Sequence, residues 1–327
     1  MPAPSTTTPP LPPLRTIDQG VVTVTSTVAA SQRRPGPSST LVRRPLSTAL
    51  HRRRRVRLAG LLALPMAWLI GLYIFSLALL LITAFWIVDP FTSLVRPGFT
   101  LDNFALLVSN PAYVSTSLRT LGIALAVTAI SALFAVPLGI FMAKLASPWL
   151  RALLAIAITL PLWAGYLVKV VAMRITFTEE GFFNSIAGLV GGSGPGFGIP
   201  TVILTLTYLW FPYMALPVYT AIRQIPPNLF DASADLGAGG WTTIRTVVIP
   251  LLTPALLAGS IFTFSLSLGD YLAARFVGGP NSQMIGSIIA SNINLNPPVA
   301  AAFSVVPIAF VVIYLLVTRR TGALERM

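Results

Sequence analysis

The stretch RQIPPNLFDASADLGAGGWTTIRTVVIPLL, residues 223–252, decides the fold. Pro226 and Pro227 favour a turn of the chain just before a helix begins, and Asn228 is a candidate N-cap for that helix. Asp231 then falls in the early helix, where a carboxylate suits the positive end of the helix dipole. The pattern predicts a short helix that starts shortly after the two prolines.

Glycines interrupt this helix and small residues surround the interruption. Gly237 is the first of three glycines, and a second helix is predicted to begin near Trp241 or Thr242 and to run toward Pro250. The small residues beside the bend are Ala232, Ser233, Ala234 and Ala238. We expect a small, rigid elbow of the kind that one protein seats in a groove of another.

The sequence on both sides of the elbow is strongly apolar. Hydrophobic residues make up 55% of the 327 residues and charged residues only 9%, whereas an ordinary soluble domain carries about 25% charged residues. A soluble protein of this size would have too few charges to cover its surface. The composition therefore predicts an integral membrane protein and disfavours a soluble enzyme.

Six apolar stretches are long enough, or nearly so, to cross the hydrocarbon core as helices. Their approximate ranges are 58–88, 118–143, 152–173, 199–222, 251–270 and 299–318. Alternating ten-residue segments, which are typical of membrane β-barrels, are not visible. We predict an all-α integral membrane protein with about six transmembrane helices, in which the loop 223–250 joins the fourth and fifth.

The basic residues predict the orientation. Ten arginines lie before residue 58, and the inner loops stay richer in Lys and Arg even without them, so both termini are predicted to be cytoplasmic. Residues 1–57 read as a disordered, Pro/Ser/Thr-rich tail and 321–327 as a short second tail. A basic block beside an apolar run indicates the plasma membrane rather than nucleic acid. Its arginines either bind anionic membrane lipid or only fix the orientation.

Several kinds of chemistry are missing from the sequence. It has no cysteine, and its one histidine, His51, lies in the tail, so we expect no metal site and no catalytic triad. Its two lysines, Lys144 and Lys169, lie in no phosphate-binding loop. We therefore expect no cofactor and no ATPase activity in this chain. A membrane enzyme would need a catalytic constellation, and a self-powered transporter would need ion-coupling groups, for which Asp270 is almost the sole acid.

The elbow resembles a known motif. Asp231-Ala232-Ser233, three further residues and Gly237-Ala238, followed by Ile249-Pro250, is similar to the Glu-Ala-Ala-xxx-Gly loop of the permease subunits of binding-protein-dependent ABC importers. Asp replaces Glu at position 231 and Ser replaces the second Ala at position 233. The resemblance covers about residues 58–320 and implies the MetI-like permease fold. Without it, the segment reads as an amphipathic surface hairpin.

The resemblance also implies partners. In this family the loop docks into a cytoplasmic ABC ATPase dimer, which binds the ATP. Two permease subunits enclose the pathway, either as a homodimer or with a sister permease as a heterodimer. A solute-binding protein delivers the substrate from outside. The permease itself is then not an enzyme.

A charged residue near a span is costly and therefore informative about the substrate. Asp270 ends the fifth span beside Tyr271, and a carboxylate next to an aromatic ring suits a cationic solute. Further aromatic candidates for the pathway are Trp163, Tyr166, Tyr208 and Trp210. Helix packing or an interfacial belt also explains these rings, and Asp270 can instead pair with Arg275 or cap backbone.

The surrounding segments narrow the resemblance. GDY at 269–271 followed by VGGPNSQMIGSII at 277–289, and EEGFFNSIAGL at 179–189, are similar to segments of spermidine/putrescine-type permeases. The resemblance implies a polyamine or a related small organic cation as the substrate. Permeases for other small solutes share parts of this pattern.

Overall fold

The computed structural model describes residues 54–89, 91–189 and 191–320. The helices, numbered in chain order, are α1 Arg54–Thr83, α2 Asp102–Ser109, α3 Pro111–Ile140, α4 Pro148–Trp163, α5 Tyr166–Thr176, α6 Phe182–Leu189, α7 Ile199–Gln224, α8 Asn228–Asp235, α9 Gly240–Thr243, α10 Ile249–Leu268, α11 Leu272–Val277, α12 Ile285–Asn292 and α13 Pro297–Arg320. The predicted tails 1–57 and 321–327 lie outside the described residues, except for 54–57 at the start of α1.

Within the described residues, five helical stretches are long and apolar enough to cross a membrane. They are Gly60–Thr83, Pro111–Leu145, Ile199–Gln224, Gly240–Leu268 and Pro297–Arg319. Each overlaps a predicted span, although the second and the fourth of these stretches begin well before the predicted starts at 118 and 251. The extension at Gly240 makes α9 and α10 one continuous helix, which connects the elbow directly to the membrane-spanning part.

The third predicted span, 152–173, differs from the expectation of a single straight helix. Its residues fall in α4 and α5, which are bent by 106° at a short break. Pro161 lies near the end of α4, where it removes a backbone donor, and Gly165 follows, so the helix is weakest at this point. Six spans are counted when the bent pair is taken as one.

A short β-hairpin lies between α1 and α2, a feature that the sequence did not indicate. Strand β1, Ile87–Val88, pairs antiparallel with β2, Val95–Arg96. Next to it the Arg96 guanidinium forms an ion pair with the Asp89 carboxylate at 2.8 Å. The hairpin begins four residues after the end of α1.

The core forms where α3, α7 and α10 pack against one another. A small residue allows the closest approach: a Cβ added to Gly259 on α10 would lie 2.9 Å from the Met214 sulfur and 3.0 Å from its Cα on α7. Small residues at helix crossings let two backbones approach closely in a membrane protein. This packing fixes α10 against α7 along its length.

Helix α1 contrasts with this core. Every side chain from residue 65 to residue 76 is exposed, including large ones such as Trp68 and Tyr73. An apolar helix of this kind is suited to lipid or to another membrane subunit. The core of this chain therefore depends on the later helices.

Two π-helical turns lie at the elbow end of the long helices. Phe141–Leu145 continues α3, and Ile244–Val248 joins α9 to α10. Such turns widen the helix by one residue and occur frequently at functional sites. Each carries one basic residue, Lys144 and Arg245.

Candidate functional site

The elbow is defined here as residues 226–243, and its first helix is α8. The residue that precedes α8 as its cap is Pro227, and no side chain caps this helix. The expectation that Asn228 is the N-cap is therefore wrong: Asn228 is already helical. Proline fits there because its fixed φ suits the helix start and its missing N–H leaves no donor unsatisfied.

Helix α8 ends in a tight backbone turn. Gly237 has φ +74°, a left-handed conformation that side chains with a Cβ disfavour. The Ala238 N–H donates to the Ser233 carbonyl at 3.1 Å, and the Gly237 N–H donates to the Ala234 carbonyl at 2.8 Å. This pair of bonds is the Schellman motif, which satisfies the last carbonyls of a helix. The predicted interruption at Gly237 is thus a defined stop.

A side-chain contact joins the two arms of the elbow. The Ser233 and Thr243 hydroxyl oxygens are 2.7 Å apart, and both residues are buried. Thr243 also donates to the Gly239 carbonyl at 3.3 Å. Ser233 lies on α8 and Thr243 on α9, so the contact crosses the bend.

Lys144 ties the elbow to the end of α3. Its ammonium group donates to the Ile225 carbonyl at 3.0 Å and lies 4.8 Å from the centre of the Phe230 ring. A cation over an aromatic face is attracted by the ring quadrupole. Arg151 in turn donates to the Met142 carbonyl at 2.9 Å. The elbow is therefore held by the turn that links α3 to α4.

The exposed surface of the elbow contains large apolar side chains. Leu236 is 88% exposed and Trp241 is 73% exposed, one on each side of the bend. Between and beside them lie exposed small or acidic residues: Asp231, Ala232, Ala234 and Gly237. Ala238 is half-buried, and Pro250 lies in the first turn of α10. A protruding surface with exposed large apolar residues indicates a protein contact.

The second group of candidate residues meets where α10 ends. The Tyr166 hydroxyl donates to one oxygen of the Asp270 carboxylate. The other oxygen accepts the Ala273 N–H in the first turn of α11 at 2.9 Å. Asp270 is only 5% exposed. Asp270 therefore caps the backbone at the start of α11, as one of the alternatives expected. Among the described side chains, Arg275 forms no ion pair with it.

Aromatic rings lie near this carboxylate. The Tyr166 ring stacks on Trp210, with centroids 5.9 Å apart and planes 14° from parallel. Tyr166, Trp210, Asp270 and Tyr271 line one cavity of about 430 Å³, which we call the Asp270 cavity. The structure thus places four of the six predicted pathway residues together.

Tyr208 and Trp163 lie elsewhere. Tyr208 lines a separate apolar cavity of about 740 Å³ between α3, α4 and α7. Trp163 is 86% exposed at the end of α4, where the bend to α5 begins. The bend explains the separation, because it turns α5, with Tyr166, away from the direction of α4.

Sequence reasoning missed two residues that hold the elbow in place. Lys144 is one of only two lysines and lies at a predicted helix end, so its position was a usable signal. Thr243 gave no signal, because its partner Ser233 is ten residues away on another helix. Among the described residues, no three His, Cys, Asp or Glu side chains come together as a metal site would require.

Comparison with known proteins decides the family. Residues 135–326 match the family described as "Binding-protein-dependent transport system inner membrane component". The chain belongs to this family of ABC importer permeases. It is 41% identical over 283 residues to the inner membrane ABC transporter permease protein YdcU of Escherichia coli strain K12, which covers 80% of this chain and 89% of that protein.

Two further similarities extend the comparison. The spermidine/putrescine transport system permease protein PotB of E. coli strain K12 is 29% identical over 226 residues, covering 68% of this chain and 81% of that protein. The crystal structure of a bacterial alginate ABC transporter, in complex with a periplasmic protein bound to alginate pentasaccharide, aligns with a TM-score of 0.62 at 15% identity. It covers 82% of this chain and 95% of that chain, and it supports the fold.

Family membership confirms the main expectations from the sequence. The protein is a mostly helical inner-membrane permease subunit of an ABC importer and is not itself an enzyme. Permeases of this family work with a separate ATPase and a solute-binding protein. Membership also agrees with the absence of a cofactor on the permease itself.

Proposed function

We propose that this permease imports spermidine, putrescine or a related small organic cation, and that the Asp270 cavity is part of its pathway. The observation that carries the proposal is the buried carboxylate of Asp270 in a cavity that the rings of Tyr166, Trp210 and Tyr271 also line. Aromatic faces and a carboxylate both attract an ammonium group. The similarity to a permease named for spermidine and putrescine supports the same substrate class.

The hydrogen bonds of Asp270 leave room for a ligand. An ionised carboxylate has about four lone-pair sites, and two are occupied, by the Tyr166 hydroxyl and the Ala273 N–H. These donors fix the orientation of the carboxyl group. An ammonium group in the cavity would therefore meet aromatic faces and the unoccupied lone-pair sites of Asp270, without displacing either donor.

For the opposite end of the molecule, we propose that the elbow docks into an ATPase dimer in the cytoplasm. The docking residues are Asp231, Ala232, Ser233, Ala234, Gly237, Ala238 and Pro250. The exposed Leu236 and Trp241 support this role, because an apolar protrusion fits a groove in a partner. The ATPase binds and hydrolyses the ATP, and its closure shifts the permease between two states.

The proposed organisation of the whole protein follows from these two ends. Residues 58–320 form the permease domain, and the tails 1–57 and 321–327 lie in the cytoplasm. A sister permease completes the pathway as a heterodimer, and the solute-binding protein docks on the side of the Asp270 cavity. The arginines of the first tail contact anionic lipid or fix the orientation.

The test is uptake of radiolabelled spermidine and putrescine by cells that express the complete transporter. The Asp270→Asn variant keeps an oxygen for the Ala273 N–H but removes the charge, so uptake is expected to fall about tenfold, equivalent to about 1.4 kcal/mol. The control Asp102→Asn removes an exposed carboxylate at the start of α2 and should leave uptake unchanged. Co-purification of the ATPase should be the same for both variants.

Two results would contradict the proposal. Equal uptake by Asp270→Asn and the wild type would remove Asp270 from the pathway. A wild-type transporter that accumulates a neutral solute and ignores both polyamines would refute the substrate class, while its assignment as an ABC importer permease would stand.

A further inference from the structure

The contact between Ser233 and Thr243 is notable for its position. The two hydroxyl oxygens are 2.7 Å apart, and the side chains are 7% and 9% exposed. Between them the chain passes through Gly237 in a left-handed conformation and through Gly239 and Gly240. Glycines give the backbone wide freedom, so the bend by itself does not fix the two arms relative to each other.

We infer that this buried hydroxyl pair is a pin that keeps the elbow rigid, so that force applied to α8 is transmitted to α10. This inference rests on the proposed docking of the elbow. Ser233 and Thr243 are positioning residues: they act through the geometry of the bend and not by contact with ATP or solute. The similar family loop has Ala where this chain has Ser233, and Ala cannot form the bond.

The helix that contains Thr243 extends from the elbow toward the Asp270 cavity. Thr243 belongs to a continuous helix, Gly240–Leu268, of 29 residues, which is about 43 Å long at 1.5 Å per residue. Its far end leads directly to Asp270 and the Asp270 cavity. A rigid elbow therefore links a movement of α8 to the end of α10 where the cavity lies. A loose elbow would let α8 move while α10 stays in place.

The hydroxyl of Thr246 provides a matched control. It lies one turn after Thr243 and donates to the Thr242 carbonyl of its own helix at 2.7 Å. Its removal takes away a hydroxyl from the same helix without affecting the bend. A conservative variant, Thr243→Ser, keeps the hydroxyl of the pin itself.

The experiment uses the complete transporter in vesicles, with its ATPase, sister permease and solute-binding protein. Three quantities are measured: the amount of ATPase that co-purifies, the ATP hydrolysed, and the labelled spermidine accumulated. For Thr243→Val, the ATPase should co-purify normally while spermidine moved per ATP falls about fivefold, the effect of one hydrogen bond. Ser233→Ala, which also changes a docking residue, should show the same fall of about fivefold in spermidine moved per ATP by the transporters that retain the ATPase. The double variant should be no worse than either single variant, because both remove the same contact.

Thr246→Val and Thr243→Ser should both behave like the wild type. The inference is overturned if Ser233→Ala transports as much per ATP as the wild type, if the two single effects add, or if Thr243→Ser is as impaired as Thr243→Val. A loss of co-purifying ATPase in Gly237→Glu would separately report on docking, so failure of docking and failure of the pin give different results.

A disulfide between positions 233 and 243 tests the pin in a second way, which does not depend on how well the substituted side chains pack. The sequence has no cysteine, so Ser233→Cys with Thr243→Cys introduces the only thiols of this chain, at two positions whose side chains are in contact. In the oxidised form, the solute-binding protein should stimulate ATP hydrolysis as much as it does in the wild type. In the reduced form, this stimulation should be lower. If the ATP hydrolysis stimulated by the solute-binding protein is equal in both forms, the pin has no role, whichever solute the transporter carries.

Discussion

The elbow and the Asp270 cavity lie at opposite ends of the helix Gly240–Leu268, and they are built from different chemistry. The elbow is held by a pair of neutral hydroxyls, Ser233 and Thr243, and exposes Leu236. The cavity is organised around the carboxylate of Asp270, which is buried beneath aromatic rings. The elbow exposes an apolar surface, and the cavity contains a carboxyl group.

The difference shows what each end has to recognise. A protein partner is recognised by a rigid, complementary surface, so the contacts at the elbow, including the neutral hydroxyl pair and the Lys144 contact, serve to fix its backbone. A small cation has few atoms to recognise, so a charge and aromatic faces are needed. Changes at the elbow should therefore affect the ATPase, whereas changes at the cavity should affect the solute.

The largest effect is expected for Gly237→Glu, which breaks the elbow. A Cβ at this position meets no atom within 4 Å, but φ is +74°, so the strain costs about 1–2 kcal/mol and a charge enters the docking surface. Uptake should fall at least about hundredfold (~2.7 kcal/mol), and the ATPase should no longer co-purify. The control Gly188→Glu, on α6 and equally open, should retain the ATPase. Normal co-purification by Gly237→Glu would contradict docking at the elbow.

Lys144→Met tests whether the end of α3 supports the elbow. The variant loses the hydrogen bond to Ile225 and the contact with the Phe230 ring, together worth about 1.5–2 kcal/mol. Uptake and co-purified ATPase should each fall about tenfold. Lys144→Arg, which keeps the charge and donors, should retain most of both. If Met is tolerated as well as Arg, the elbow does not depend on this contact.

Tyr166→Phe sharpens the comparison from the other end. The variant keeps the ring stacked on Trp210 but loses the hydroxyl that donates to Asp270. One lost hydrogen bond of about 1 kcal/mol predicts about fivefold lower spermidine uptake. The ATPase should co-purify normally. Tyr208→Phe, in the separate apolar cavity, should have no effect; an equal loss in both variants would mean that the Asp270 cavity has no special role.

The smallest effect is expected at Arg119, which supports the segment that follows the cavity. Its guanidinium donates to the Asn281 carbonyl at 2.6 Å from the exposed surface of α3. Because solvent weakens an exposed contact of this kind, Arg119→Met should lower uptake only about twofold (~0.4 kcal/mol). Arg96→Met, in the β-hairpin, serves as the control. Loss of ATPase from Arg119→Met would show that the two ends are not separable.

The sequence predicted the parts of the elbow that depend on local chemistry. The predicted stop at Gly237 and the predicted approximate start of the second helix were both correct, because a glycine ends a helix through its own backbone freedom and needs no distant contact. Asn228 as the cap was wrong, since Pro227 also satisfies the local requirements for a helix start. The bend between α4 and α5 was missed because apolar composition measures length and not direction.

The site residues divide in the same way. Asp270 and Tyr271 are adjacent in sequence, so their proximity needed no tertiary information. The grouping with Tyr166 required the 106° bend, and the same bend left Trp163 exposed. Aromatic character alone could not separate Tyr166 from Tyr208.

The sequence by itself determined that this protein lies in a membrane, which stretches are apolar enough to cross it, and that an elbow of small residues lies between two of them, since these properties depend on hydropathy and on local backbone freedom. Only the tertiary structure decided that Ser233 contacts Thr243, that Lys144 supports the elbow, and that Tyr166 reaches Asp270. Each of these contacts joins residues on different helices. Their formation depends on how the helices pack and bend, and neither hydropathy nor local propensity contains that information.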